Sequence, residues 1–93
     1  MTENELKQLV VALARRNGWA VYHVPQARIH NGGGRGYPDL TLARDGEHLW
    51  LELKHERGVP TTEQLAWAAA IGRGWHLIRP ADLDSGRVGE LLR

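Results

Sequence analysis

Three residues of this sequence have side chains whose types and spacing could do chemistry together: Asp39, Glu52 and Lys54. Asp39 follows Pro38, Glu52 stands thirteen positions after Asp39, and Lys54 two positions after Glu52. Side chains of a strand alternate between its faces, so Glu52 and Lys54 point the same way. Two carboxylates suit Mg²⁺ or Mn²⁺, which neutralise phosphate charge and acidify a bound water. With a lysine to stabilise developing charge, the trio predicts in-line hydrolysis of a phosphodiester.

A hairpin turn would bring the two acids together. Asp45-Gly46 is a strong two-residue turn signal between strands predicted over 39–43 and 48–54. Asp39 stands six residues before Asp45 and Glu52 six residues after Gly46, so pairing places the two carboxylates side by side. The same residues also fit a simpler interpretation, in which Asp39 is a turn residue and Glu52 and Lys54 form an exposed ion pair.

The remaining pattern predicts the elements that must position these residues. Leu6, Leu9, Val10, Leu13 and Ala14 recur at helical spacing, and Gln64 stands three residues after Thr61 as in a capping box. The order α-β-β-β-α-β-α predicts one α/β domain over 1–93. The predicted helices cover 3–17, 61–72 and 85–92, the last capped by Asp84 or Ser85, and two further strands cover 19–24 and 75–79.

Composition excludes several classes of site. The 93 residues contain no Cys, so disulfides and Cys-based zinc sites are absent, and the histidines lack metal-ligand spacing. No apolar stretch is long enough to span a bilayer, and the acidic N-terminus does not resemble a signal peptide, so we expect a cytoplasmic protein without membrane contact. The glycine-rich loop lacks the Lys-Ser/Thr ending of a P-loop, which argues against a nucleotide cofactor.

A basic loop precedes Asp39, although the net charge of the chain is only +1. Arg28, His30 and Arg35 lie in this loop with no acid between them. We predict that they contact DNA backbone phosphates, where most protein–DNA hydrogen bonds are made. The alternative is a solvated loop that happens to be basic.

Pro38-Asp39 followed by Glu52-Leu53-Lys54 resembles the PD-(D/E)xK nuclease signature. The wider context resembles the VRR-NUC (virus-type replication-repair nuclease) domain, in particular its small stand-alone phage and bacterial members. This resemblance covers nearly the whole chain. It rests on Gly36-Tyr37-Pro38-Asp39-Leu40, Leu51-Glu52-Leu53-Lys54, Thr62-Glu63-Gln64 with Trp67, the opening helix, Gly18-Trp19, Val21-Tyr22-His23 and Arg79-Pro80.

The resemblance implies a restriction-endonuclease-like α/β fold, a mixed sheet flanked by helices, and Mg²⁺- or Mn²⁺-dependent cleavage of DNA. It implies metal ligation by Asp39, Glu52 and the main-chain carbonyl of Leu53, with Lys54 catalytic. Small members of the family resemble Holliday-junction resolvases and act as homodimers, which implies a homodimer acting on branched DNA in DNA repair. An origin in a phage, with action in the host cytoplasm, fits the same resemblance.

The family pattern also implies a Glu on the first helix, for which Glu3 and Glu5 are the candidates. At 100° per residue, Glu3 lies about 50° from the centre of the apolar face and Glu5 about 110° from it. Glu3 is therefore favoured, although an acid at a helix start also suits the helix dipole. Lys7 stands where the family often has Gln. Gln64 is predicted to hydrogen-bond the nucleophilic water or the lysine, and its capping role is compatible with that.

Two other functions remain open. A catalytically silent DNA-binding or assembly module would keep this fold, but loss of Asp39, Glu52 or Lys54 would be its sign, and all three are present. A small α/β interaction protein would merely expose the Glu–Lys pair. The four Trp residues fit core or dimer-interface positions better than base stacking, with Trp50 predicted to pack beneath the site or against the first helix.

Overall fold

The computed structural model describes residues 1–24 and 34–93, and within them four strands form one mixed sheet flanked by helices. The sheet order is β1-β2-β3-β4, in which β2 is antiparallel to both β1 and β3, and β4 is parallel to β3. This confirms the predicted α/β class and mixed sheet. The elements are α1 Glu3–Arg16, β1 Ala20–His23, β2 Leu40–Arg44, β3 Glu47–Leu53, α2 Thr62–Ile71, β4 Trp75–Ile78, α3 Pro80–Asp84 and α4 Arg87–Leu92.

The β2–β3 hairpin has the predicted register. Its pairs run from Arg44 opposite Glu47 to Leu40 opposite Leu51, around a two-residue turn at Asp45-Gly46. Both turn residues have positive φ, 51° at Asp45 and 84° at Gly46, as a hairpin turn matched to strand twist requires. Continuing this register by one position beyond Leu40 and Leu51 sets Asp39 opposite Glu52.

The apolar core lies between one face of the sheet and the helices α1 and α4. Leu9, which the helical pattern assigned to this face, is instead 49 % exposed. The buried apolar residues are Leu6, Val10, Ala14, Trp19, Leu40, Leu42, Leu51, Leu53, Ile78, Val88 and Leu92.

Helix α2 lies on the opposite face of the sheet, and none of its own residues is buried. Side-chain alternation along β3 turns Trp50 and Glu52 toward it, away from the leucine face. The two faces therefore differ in content, since one is a leucine-rich core and the other carries the polar residues of the hairpin.

The C-terminal prediction needs correction. Residues 85–92 do not form one helix capped by Asp84 or Ser85, because two short helices replace it. Pro80 begins α3, where its missing N–H costs nothing, and Ser85 ends that helix. Gly86 precedes α4 in the left-handed conformation, with φ 85°, which glycine adopts without steric cost.

In the described residues, no helix combines the length and apolar character that a bilayer-spanning segment needs.

Candidate active site

Asp39 is held at the start of β2 by a hydrogen bond to the strand beside it. The backbone N–H of Leu53 donates to Asp39 Oδ2 at 2.8 Å. The side chain of Asp39 thus extends the hydrogen bonding between β2 and β3 past their last backbone pair, Leu40 with Leu51. This bond fixes Oδ2 of Asp39, and the other carboxylate oxygen, Oδ1, takes no part in it.

Glu52, the neighbour of Asp39 in the register, is a buried carboxyl group with 1 % exposure. Gln64 Nε2 donates to its Oε2 at 2.8 Å, whereas Oε1 is buried with no hydrogen-bond partner among the described residues. Burial, followed by the negative charge of nearby Asp39, raises the pKa of Glu52 to about 9, against a smaller opposing effect of the Lys54 charge. Without a further cation, this environment favours the protonated form of Glu52.

Gln64 combines two tasks at the first turn of α2. Its backbone N–H donates to Thr61 Oγ1 and its Oε1 accepts from the Thr61 backbone N–H, which completes the capping box. Its amide nitrogen remains for Glu52. The predicted capping role is confirmed, and the structure adds that Gln64 holds a carboxyl oxygen of the site.

A tightly packed segment leads the chain into Asp39. Gly36 has φ 83°, and a Cβ there would lie between 2.5 and 2.7 Å from atoms of Glu63 in α2. Only glycine therefore allows this approach. The glycine stands out in the sequence motif, but its packing against a helix 27 positions later could not be inferred from the motif.

Hydrogen bonds of its hydroxyl group and a contact of its ring fix the next residue, Tyr37. Its hydroxyl group lies 2.9 Å from Thr41 Oγ1 and accepts from Trp50 Nε1 at 3.0 Å. Its ring meets Trp67 edge to face, with 4.9 Å between centroids. Trp50 thus contacts a residue that lies two positions before Asp39.

Lys54 follows the last residue of β3 and is half-buried. Its backbone N–H donates to Ile78 O at 3.0 Å, which continues the contact with β4 past Leu53. Gly58 packs against its side chain, since a Cβ on Gly58 would lie 3.2 Å from both Cβ and Cδ of Lys54.

Arg79 shapes the loop that contacts Lys54. Its Nη1 donates to three carbonyl oxygens of that loop, at 3.0 Å to His55, 3.1 Å to Glu56 and 2.6 Å to Gly58. The sequence motif included Arg79 but did not assign this role to it. Hydrogen bonds to carbonyl groups about twenty residues away leave no pattern in the sequence.

The first helix presents Glu3, and not Glu5, to Asp39. A cavity of about 270 Å³ is lined by Glu3, Asn4, Lys7, Asp39 and Leu53. Glu5 instead accepts from the backbone N–H of Thr2 in the capping box of α1, and this hydrogen bond lowers the pKa of Glu5. Lys7 and Asn4 were missed as site residues, although helical spacing puts Lys7 one turn after both Glu3 and Asn4.

The predicted phosphate contacts lie apart from this cavity or outside the described residues. Arg35 is exposed and lines a separate cavity of about 310 Å³, together with Glu63, Ala66, Trp67 and Ala70. Arg28 and His30 fall within residues 25–33, which the structure does not describe.

The donor set fits a hard divalent cation. In residues 1–24 and 34–93, no three His, Asp or Glu side chains form a ready metal-binding group. The predicted ligands, however, are two carboxylates and one main-chain carbonyl, and Mg²⁺ is commonly bound through one or two carboxylates with water and substrate phosphate. The unpartnered Oε1 of Glu52, next to Asp39, is a buried acceptor that such a cation would satisfy.

Comparisons of the chain with protein-family models, with curated proteins and with solved structures find no match. The functional interpretation therefore depends on the motifs and on the geometry described above.

Proposed function

We propose that this protein is a metal-dependent DNA endonuclease of the VRR-NUC type, with Asp39, Glu52 and Lys54 at its reaction centre. The observation that carries the proposal is the buried, half-satisfied carboxyl group of Glu52 beside Asp39. An unpartnered buried carboxyl oxygen costs stability, so its retention in this fold favours a role for that oxygen in binding.

The simpler interpretation, an exposed Glu–Lys ion pair, does not agree with the contacts. Glu52 is buried, and the salt bridges within the described residues are Arg87–Asp82 and Arg93–Glu90. Lys54 acts on Glu52 through its charge, at a distance greater than an ion pair. The two side chains are thus placed near each other without neutralising each other.

Asp39, Glu52 and the Leu53 carbonyl would hold Mg²⁺ or Mn²⁺. When bound, the cation supplies charge neutralisation for the phosphate and makes a water more acidic. The chain's own groups do the positioning: Leu53 N–H orients Asp39, and Gln64 orients Glu52. Lys54 would stabilise charge developing on the phosphate, and Glu3 adds a second carboxylate beside Asp39 in the cavity.

The proposed substrate is DNA, with branched DNA such as a Holliday junction preferred and Arg28, His30 and Arg35 contacting phosphates. This preference depends on the resemblance to the small VRR-NUC proteins. A homodimer fits it, because one chain supplies one such centre while a symmetric junction needs two cuts.

The first test is cleavage of labelled duplex, splayed-arm, flap and four-way-junction DNA with Mg²⁺, Mn²⁺ or EDTA. Asp39→Asn is the informative variant, because asparagine can still accept from Leu53 N–H but removes the charge that a metal needs. Asp45→Asn is the matched control, since asparagine tolerates the positive φ of that turn. We expect metal-dependent products from the wild type and the control, and a loss of at least about a hundredfold in Asp39→Asn.

Undiminished cleavage by Asp39→Asn would remove Asp39 from the site. DNA binding without cleavage on every substrate would support the catalytically silent module instead. Metal titration of the wild type and of Asp39→Asn by calorimetry separates both from an interaction protein, which would bind no divalent cation specifically.

A further inference from the structure

A second lysine, Lys7, lies at the candidate site. It belongs to α1, one helical turn after Glu3, and lines the cavity of about 270 Å³ beside Asp39. Lys54 is not among the residues that line this cavity. Among the described residues, the lysine that lines the open space next to Asp39 is therefore on the first helix, and not on the strand motif.

The ammonium group of Lys7 is not engaged by other described residues. Glu3 precedes Lys7 by four positions, an arrangement that favours an ion pair on a helix. The salt bridges within residues 1–24 and 34–93 nevertheless do not include Lys7, and its ammonium donates no hydrogen bond there. A half-buried lysine between acids, paired with none of them, is suited to an anion from outside.

We propose that Lys7 binds a non-bridging oxygen of a DNA backbone phosphate that enters this cavity. The inference rests on the proposed function and adds a substrate contact to it. Without a bound metal ion, Glu3 and Asp39 would repel a phosphate, so metal-free binding of a phosphate in this cavity requires a positive group among the lining residues. Lysine binds phosphate well as a point charge, and its charge-assisted hydrogen bond is strengthened where solvent is partly excluded.

A competing role for Lys7 is neutralisation of Asp39 and Glu3. That role would change the cleavage rate or the metal affinity. It would leave the salt dependence of DNA binding unchanged, because no phosphate counterion would be released through Lys7. Salt dependence therefore distinguishes a phosphate contact from a charge balance inside the protein.

The test measures binding of labelled duplex and four-way-junction DNA by fluorescence anisotropy, in EDTA, over a series of KCl concentrations. Lys7→Ala and Lys7→Gln remove the cation, and Lys7→Arg retains it. Arg16→Ala is the matched control, an exposed cation in the last turn of the same helix. For Lys7→Ala and Lys7→Gln we expect affinity to fall several-fold and the slope of log K against log salt to decrease by about 0.9, with Lys7→Arg close to the wild type.

An unchanged slope in Lys7→Ala overturns the proposal, whether or not the cleavage rate falls. An equal loss in Arg16→Ala overturns it too, since any cation on the helix would then suffice. If the wild type binds DNA but does not cleave it, the nuclease proposal fails while the slopes still decide the role of Lys7. If the wild type binds no DNA, both proposals fail.

Discussion

The two longer helices of this protein begin with the same local structure and have different tasks. In α1, Thr2 Oγ1 accepts from Glu5 N–H at 3.1 Å and Glu5 Oε1 accepts from Thr2 N–H at 2.8 Å. In α2, Thr61 and Gln64 make the same two bonds at 3.1 and 2.8 Å. The capping box alone therefore does not tell which helix serves the site.

The difference lies in what each helix meets beyond its cap. Helix α1 buries Leu6, Val10 and Ala14 in the core, whereas α2 buries no residue. Gln64 has an amide nitrogen left over for Glu52, while the carboxylate of Glu5 can only accept and is exposed. One capping motif thus starts a structural helix in α1 and holds a polar group of the site in α2.

The largest expected effect tests the structural half of this comparison. Leu6→Ala should lower the free energy of unfolding by about 2–5 kcal/mol, because Leu6 is fully buried and truncation leaves a cavity. Leu65→Ala in α2 should change it by less than about 0.5 kcal/mol, because Leu65 is 52 % exposed. Urea denaturation measures both. Equal losses would mean that α2 is packed as a core helix, in an assembly with a second chain for example.

A reciprocal exchange of the capping residues tests the functional half. Gln64→Glu retains the cap acceptor but sets a carboxylate against Glu52 in place of a donor, which should cost about 1–3 kcal/mol of stability and lower the cleavage rate. Glu5→Gln retains its cap and should cost less than about 1 kcal/mol, with cleavage unchanged. Denaturation and single-turnover cleavage measure these effects. A loss of cleavage in Glu5→Gln matching that of Gln64→Glu would contradict the proposed division of tasks.

The smallest effect, counted per pH unit, is a pH dependence of the free energy of unfolding that Glu52 should confer. Burial and the charge of Asp39 raise the pKa of Glu52 from 4.5 to about 9, so the native state holds a proton that the unfolded chain releases between these values. The contribution of Glu52 to the free energy of unfolding of the metal-free protein should therefore be largest below pH 4.5 and fall as pH rises toward 9. The slope is at most about 1.4 kcal/mol per pH unit.

Glu52→Gln should remove this slope, while Glu47→Gln, at an exposed position of the same strand, should retain it. Urea denaturation in EDTA between pH 5 and 9 gives the comparison. Parallel pH profiles for the wild type and Glu52→Gln would show that Glu52 titrates as an ordinary carboxyl group.

Much of the arrangement follows from local patterns in sequence. The turn at Asp45-Gly46 has two residues, which fixes the register of β2 and β3 and hence the juxtaposition of Asp39 with Glu52. The spacing of Thr61 and Gln64 likewise predicts the start of α2. The C-terminal helices were harder to predict, because Gly86 caps α4 through its backbone conformation while Asp84 and Ser85 are stronger caps by type.

By itself, the sequence determined the hairpin, the starts of α1 and α2 and the juxtaposition of Asp39 with Glu52, since each depends on residues close together in the chain or on strand alternation. Only the tertiary structure decided that Glu3 and Lys7 share a cavity with Asp39, and that Gln64 reaches Glu52. It also decided that Arg79 shapes the loop beside Lys54. These contacts join segments distant in sequence, and their geometry is set by how the helices pack on the sheet, which no local spacing encodes.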